Sequence, residues 1–201
     1  MTASASACIL SRVTHLTNTI ILGCWIVFFV YWIISAFGVK RIAERQSLAA
    51  NLAHRIPVAL GYWLLAFFQM PPWLEVQVIP RTDFTMAIGA AICVAGLFVT
   101  IWARITLAGN WSSDVTFKRD HELIRASPYR YVRHPIYTGL LLMALGTAVV
   151  ATQLHCWLGV LAFGAGFWIK LCQEERLLLR HFPDQYPQYQ KEVKALIPGI
   201  L

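Results

Sequence analysis

The sequence predicts an all-α integral membrane bundle of about five transmembrane helices. Three observations predict it. First, the 201 residues are 58% hydrophobic and only 13% charged, against roughly 45–50% and about 25% in soluble domains. Second, the apolar residues fall into five runs, and about 20 such residues cross a bilayer as one helix. Third, the charged residues gather in alternate linkers. A disordered chain and a large separate soluble domain are both excluded by this arithmetic.

The elements follow in order. The first fifteen residues are small and polar, with one arginine, Arg12. They lack the charged, apolar, then small order of a secretory signal. The first helix is predicted over 19–38. The second covers 56–70 and stops at Pro71-Pro72, which cannot continue a helix. The third covers 84–107. The fourth begins at Pro135 and runs to 152, and the fifth covers 156–172. Residues 1–94 thus form an N-terminal transmembrane part, and 95–201 hold the candidate chemistry. The link between the last two helices is so short that they must form a tight helical hairpin. Gly139 and Gly146 in one arm, and Gly159, Gly164 and Gly166 in the other, would let membrane helices approach closely.

Charge placement sets the expected orientation. The first linker holds Lys40, Arg41, Arg45 and Arg55, whereas the second holds only Arg81 among its cations. The third holds Lys118, Arg119, Arg125, Arg130 and Arg133, and the tail holds Arg176, Arg180, Lys191 and Lys194. Five spans with the N-terminus outside put every rich segment in the cytoplasm. The net charge of +7 then reflects this topology and anionic membrane lipids, not nucleic acid, since no single basic face exists. The five cysteines are scattered and form no CxxC. No HxxxH or HExxH spacing occurs among the six histidines, so no metal site is expected.

Two polar clusters stand at the same expected membrane face. One is Ser127-Pro128-Tyr129-Arg130-Tyr131-Val132-Arg133-His134-Pro135-Ile136-Tyr137-Thr138-Gly139. Proline suits the first turn of a helix, so Arg133 and His134 sit at the entrance of the fourth helix. Unpaired backbone N–H groups and the positive dipole end are expected there. The other cluster is Lys170-Leu171-Cys172-Gln173-Glu174-Glu175-Arg176, at the far end of the fifth helix. Lys170 and Glu174 are four apart and share a face. Adjacent glutamates at a helix C-terminal end need cations nearby, and the hairpin returns them to the side of His134. Taken alone, each cluster also fits a plainer role, as an interfacial anchor or a solvated helix end. Gly164-Ala165-Gly166 reads either as helix packing or as a ligand-binding turn. His155, on the short link, reads as an interfacial residue.

These residues carry a resemblance. HELIRASPYRYVRHPIYTG, from His121 to Gly139, resembles the cofactor motif of the isoprenylcysteine carboxyl methyltransferase family. That family is related to the phospholipid methyltransferases. Glu174-Glu175 followed by Phe182, Tyr186, Tyr189 and Leu196-Ile197-Pro198 resembles its ending. Trp102-Ala103-Arg104 and Gly109-Asn110-Trp111-Ser112 resemble a segment of bacterial members. The likeness covers about residues 95–200. It departs from the family at Thr106-Leu107-Ala108-Gly109, where Leu-Gly-Arg is usual, and at Ser127, where glycine is common.

The resemblance implies a membrane methyltransferase using S-adenosylmethionine and releasing S-adenosylhomocysteine. His121, Glu122, Leu123 and Ile124 match a segment that wraps the cofactor. Tyr129 matches an aromatic beside it, and His134, Pro135, Ile136, Tyr137 and Gly139 match the binding turn. Glu174, with Glu175 next to it, matches a cofactor-contacting glutamate. Lys170 falls where eukaryotic members place a substrate-contacting arginine, so a bidentate clamp is not available. Lys170, Arg104 and Arg133 are the candidate holders of an anionic acceptor. That acceptor is expected to be a lipophilic molecule or lipidated substrate, with a carboxylate favoured. A phospholipid amine acceptor, an NADPH-dependent sterol-reductase-like enzyme and a non-catalytic scaffold stand as alternatives. The bacterial type of the motif implies a multi-pass protein of a bacterial inner membrane, with its site and C-terminus cytoplasmic.

Overall fold

The computed structural model describes residues 2–37, 42–45, 48–67, 69–108, 116–118 and 123–201. Five long helices dominate: α1 (Thr2–Ala36), α2 (Leu48–Ala66), α3 (Asp83–Leu107), α4 (Pro135–Ala151) and α5 (Leu154–His181). A short α6 (Tyr186–Glu192) lies in the tail. Among the described residues, a two-stranded antiparallel ribbon, β1 (Ile42–Arg45) with β2 (Thr116–Lys118), adds to the helical expectation. The ribbon ties the first basic linker to the third. Among the described residues, Arg12–Ala36, α3 and α5 are long and apolar enough to cross a membrane, and α4 is a shorter apolar helix.

Several boundaries differ from expectation for identifiable reasons. α1 starts at Thr2, not residue 19, because small polar residues continue a helix without adding hydropathy. α2 covers 48–66, not 56–70, so its polar first turns are helical and Pro57 lies inside it. α5 runs on to His181, past the glutamates. α3 agrees closely, and its start has a mechanism. Thr82 caps it, with the Thr82 and Thr85 side chains each bonded to the other's backbone N–H.

Helix pairing is where the glycines matter. α3 lies along α4 and α2 along α5. Gly139 abuts Gly96 and Thr100 of α3, and Gly146 abuts Gly89 and Cys93. The register is antiparallel, with glycines seven residues apart on both helices. On the other side, Gly159 faces Gly61 and Leu64 of α2, and Gly166 faces His54 and Val58. The glycines therefore serve α3 and α2, not the hairpin arms themselves. A Cβ on Gly164 would meet nothing within 4 Å, whereas one on Gly166 would meet Val58 and His54 O of α2.

Both ends of the bundle are well defined. At one end, Val78 N–H donates to Thr152 O at 2.8 Å and Leu154 N–H to Val76 O at 2.9 Å, closing the charge-poor linkers together. His155 belongs to this closure and is not an interfacial side chain. It is 2% exposed, with Nδ1 at 2.7 Å from Leu64 O and Nε2 at 2.9 Å from Gln153 Oε1. At the other end stand the α1 and α3 C-termini, the α2 and α4 N-termini, the end of α5 and the tail.

Candidate functional site

The polar end is built around the entrance of α4. Ser127–Arg130 forms a single 3-10 turn. Its Tyr129 is buried and donates its hydroxyl to Ala103 O of α3 at 3.3 Å. Burial raises the Tyr129 phenol well above its usual range, so it stays a neutral donor. Ser127 has φ +55° and Ala108 has φ +45°. These are the two places where the sequence departs from the glycines of the family it resembles. A side chain in that region costs about 1–2 kcal/mol. Ser127→Gly is therefore expected to stabilise the protein by about 0.5–1 kcal/mol, after allowing for the freer unfolded chain. A lower melting temperature in detergent would contradict this.

The tail straps across the α4 entrance. Arg133 N–H donates to Lys194 O at 2.8 Å and His134 N–H to Ala195 O at 3.0 Å. Thr138 Oγ1 donates to Leu196 O at 2.8 Å. The sequence predicts unpaired backbone N–H groups near Arg133 and His134; the N–H groups of these two residues themselves bond the tail carbonyls. The Tyr189 hydroxyl donates to Tyr129 O, and Arg125 pairs with Glu192. Burial pushes the Tyr189 phenol up to about 12, against the opposing charges of Arg133 and Arg125.

The two glutamates of α5 do different things. Glu175 Oε1 accepts from Arg133 Nε at 2.8 Å and Nη2 at 2.6 Å, and Glu175 Oε2 accepts from Gln190 Nε2 at 2.8 Å. Arg133 also donates to Gln190 O and Val193 O. Glu175 and Arg133 thus lock the tail. Glu174 turns toward α4 instead. Its Oε1 accepts from the Tyr137 hydroxyl at 2.6 Å, and its Oε2 lies 3.6 Å from His134 Nδ1. His134 bridges the pair, with Nε2 at 3.2 Å from Glu175 Oε1. Burial alone would lower the His134 pKa. The hydrogen bonds and charges of Glu174 and Glu175 outweigh it and hold the imidazole above its ordinary value.

An aromatic stack backs this cluster. Tyr137 is parallel to His134 at 5.6 Å between centroids and to Phe167 at 5.0 Å. Phe163 continues the stack edge-on from Phe167 at 5.3 Å. The ammonium of Lys170 lies 5.5 Å from the Tyr137 ring centroid. Phe163, Phe167, Lys170 and Glu174 recur at helical spacing on one face of α5. That spacing was legible in the sequence, yet the two phenylalanines read only as part of an apolar run.

The predicted residues separate accordingly. His134, Pro135, Tyr137, Glu174, Glu175, Arg133 and Lys170 come together. Ile136 is buried in the core and Ile124 packs against it; Leu123 is half-buried. His121 and Glu122 lie outside the described residues, as does the 109–112 segment. Gly139 packs on α3, where Thr100 Oγ1 would lie 2.2 Å from an added Cβ. Arg104 donates to Ser35 O at 2.6 Å and Ala108 O at 2.7 Å, joining the ends of α1 and α3. Of the three cations considered for an anionic acceptor, Lys170 is the one beside the Tyr137–Glu174 pair. No group of three or more potential metal ligands occurs among the described residues.

Known proteins resemble this chain. The model of the isoprenylcysteine carboxyl methyltransferase (ICMT) family matches residues 88–180. The protein-S-isoprenylcysteine O-methyltransferase of Dictyostelium discoideum is 30% identical over 163 residues, 77% of this chain and 65% of that protein. The protein of the same name from Schizosaccharomyces pombe is 34% identical over 122 residues, 58% of this chain and 50% of that protein. The chain therefore spans about half to two thirds of these relatives. A solved structure of a eukaryotic intramembrane Ras methyltransferase, ICMT, superimposes with a TM-score of 0.53 at 24% identity. It covers 79% of this chain and 55% of that one, a likeness of fold.

Proposed function

We propose, from the family model that matches residues 88–180, that this chain belongs to the isoprenylcysteine carboxyl methyltransferase family and methylates the carboxylate of a lipid-linked acceptor, an isoprenylated cysteine, with S-adenosylmethionine as donor. The observation that supports this most is the meeting of Glu174, Tyr137 and His134 at the α4 entrance, with Lys170 over the same tyrosine. A mostly buried carboxylate beside stacked aromatic rings suits a cationic ligand. When bound, S-adenosylmethionine supplies a methyl group already activated on a sulfonium.

The chain's residues then align and shield. Glu174 and the Tyr137 ring hold the positive end of the donor, and Tyr137 and His134 fix the carboxylate in place. His134 acts as an orienting group, because a carboxylate nucleophile has no proton to give up. Lys170 holds the acceptor's carboxylate as a point charge. The Tyr137–Phe167–Phe163 stack keeps water away, so that proximity and dehydration carry the rate. The positive-inside bias supports a cytoplasmic position for this end of the bundle, with the N-terminus outside, and the bacterial type of the motif supports a bacterial inner membrane.

Calorimetry on the detergent-purified protein tests the reading, with S-adenosylmethionine, S-adenosylhomocysteine and NADPH as ligands. Micromolar binding of either of the first two, and none of NADPH, is expected. NADPH binding alone would redirect the site to a reductase, and no binding by a folded protein would leave a scaffold. Lys170→Ala is expected to lower kcat/KM by about 10–100-fold, the value of one charge-assisted contact, while S-adenosylhomocysteine affinity changes less than about twofold. Equal loss of both would remove Lys170 from the acceptor side.

A further inference from the structure

The end of the bundle opposite the candidate site is closed by the segment between α2 and α3. From Gln69 to Pro80 it holds no cation and one acid, Glu75. The Glu75 carboxylate turns back on its own loop and accepts from Met70 N–H at 3.0 Å. Large apolar side chains face outward: Trp73 is 67% exposed, Val76 54% and Val78 50%. Val76 and Val78 flank Gln77, which bridges to Gln153, and residues two apart on such a segment share a side.

The backbone behind them is largely paired within the protein. Pro71, Pro72 and Pro80 have no N–H to satisfy. Leu74 and Glu75 N–H donate to Pro71 O and Pro72 O. Val78 N–H donates to Thr152 O, while Val76 O and Leu74 O accept from Leu154 and His155 N–H. Ile79 O accepts from Gln77 Nε2 and Pro80 O from Thr85 Oγ1, both at 2.9 Å. In water such internal pairing is unnecessary and polar side chains serve better. Close to hydrocarbon, backbone groups must be satisfied by the protein itself, tryptophan is favoured at the interface, and an exposed apolar patch marks a contact surface. The patch is also continuous along the chain with exposed apolar residues of the helices. The rings of Trp63 and Phe67 pair at 5.3 Å before the loop, and Phe84 and Ile88 follow it on the membrane-spanning α3.

We propose that residues 70–80 form a lipid-binding surface, seated in the interfacial layer of the leaflet opposite the candidate site, with Trp73, Val76 and Val78 toward the acyl chains. The loop then fixes the depth of the bundle at that face. This surface uses none of the candidate site's residues, so it stands or falls apart from the methyl-transfer reading.

Spin labels on Trp73→Cys and Val76→Cys test it in liposomes. Cys8 and Cys172 are replaced by alanine, and Cys24, Cys93 and Cys156 are buried, so that the introduced thiol takes the label. Ile88→Cys on α3 and Lys191→Cys in the tail serve as the lipid and water references. Collision with molecular oxygen, which concentrates in lipid, is compared with collision with a water-soluble nickel chelate. At both loop sites the oxygen-to-nickel ratio is expected to lie several-fold above that of Lys191→Cys and near that of Ile88→Cys. A ratio like that of Lys191→Cys would place the loop in water and overturn the proposal. Low collision with both reagents would mean that a protein surface, such as a second copy of this chain, covers the loop, which overturns it equally. Helical circular dichroism checks that each labelled protein is folded, and Val76→Cys decides the matter if Trp73→Cys does not fold.

Discussion

Glu174→Gln is expected to weaken S-adenosylmethionine binding by about 10–100-fold, and S-adenosylhomocysteine, which lacks the sulfonium charge, by less, with the melting temperature nearly unchanged. The amide keeps an oxygen for the Tyr137 hydroxyl, so the local geometry survives. What is lost is the negative charge that would face a cationic ligand, and a contact to a charged group is worth about 1.5–3 kcal/mol. Its neighbour should behave in the opposite way. Glu175 holds Arg133, His134 and Gln190 at once, and its carboxylate and the Arg133 guanidinium are largely buried. Removing one member of such a pair strands the other, at about 3–5 kcal/mol. Glu175→Gln is therefore expected to lower the melting temperature sharply and to loosen the tail, which limited proteolysis after Arg180 would reveal. Calorimetry and thermal denaturation of the two variants separate the roles. A matching loss of affinity and stability in both would mean that the glutamates act as one unit.

The contrast between two adjacent glutamates shows what the sequence made legible. That a basic entrance and an acidic helix end would meet followed from the hairpin and the charge bias alone. Which carboxylate would face α4 and which the tail did not follow, because it depends on the rotation of α5. That rotation is set by Gly159 and Gly166 seating on α2. A helix start with a local cause was legible at Pro135, whereas the start of α3 was read from its apolar run and the Thr82 cap was not. Helix ends governed by burial were not. The first turns of α2 read as a polar linker, since hydropathy measures exposure to lipid while His54 is polar and buried by α5. The same limit misplaced His155, whose partners are a carbonyl of α2 and its own neighbour Gln153. The tail was visible only through resemblance. Its work is done by backbone carbonyls of 193–196, which any sequence would offer.

Gly139 ties that packing to the site, and its substitution is the most damaging change expected outside it. A Cβ there would fall 2.6 Å from Gly96 O and 2.8 Å from Thr100 N. Backbone cannot step aside, so α3 and α4 must part, at about 1–3 kcal/mol or more. Gly146→Ala meets Cys93 N and Gly89 O at 2.5 Å and forces the same separation. The double variant is therefore expected to cost clearly less than the sum of the singles, although the sites stand about 10 Å apart along the helix. Their effects on binding should differ. Gly139 lies about one turn from Pro135, so parting the helices there moves His134 and Tyr137 away from Glu174. Gly146 lies two turns further off. Gly139→Ala is expected to lose cofactor affinity several-fold more than Gly146→Ala at similar loss of stability. Gly164→Ala, with open space around it, should change neither. Additive melting shifts, or equal affinities for the two single variants, would mean that the α3–α4 seam yields locally and does not set the position of the α4 entrance.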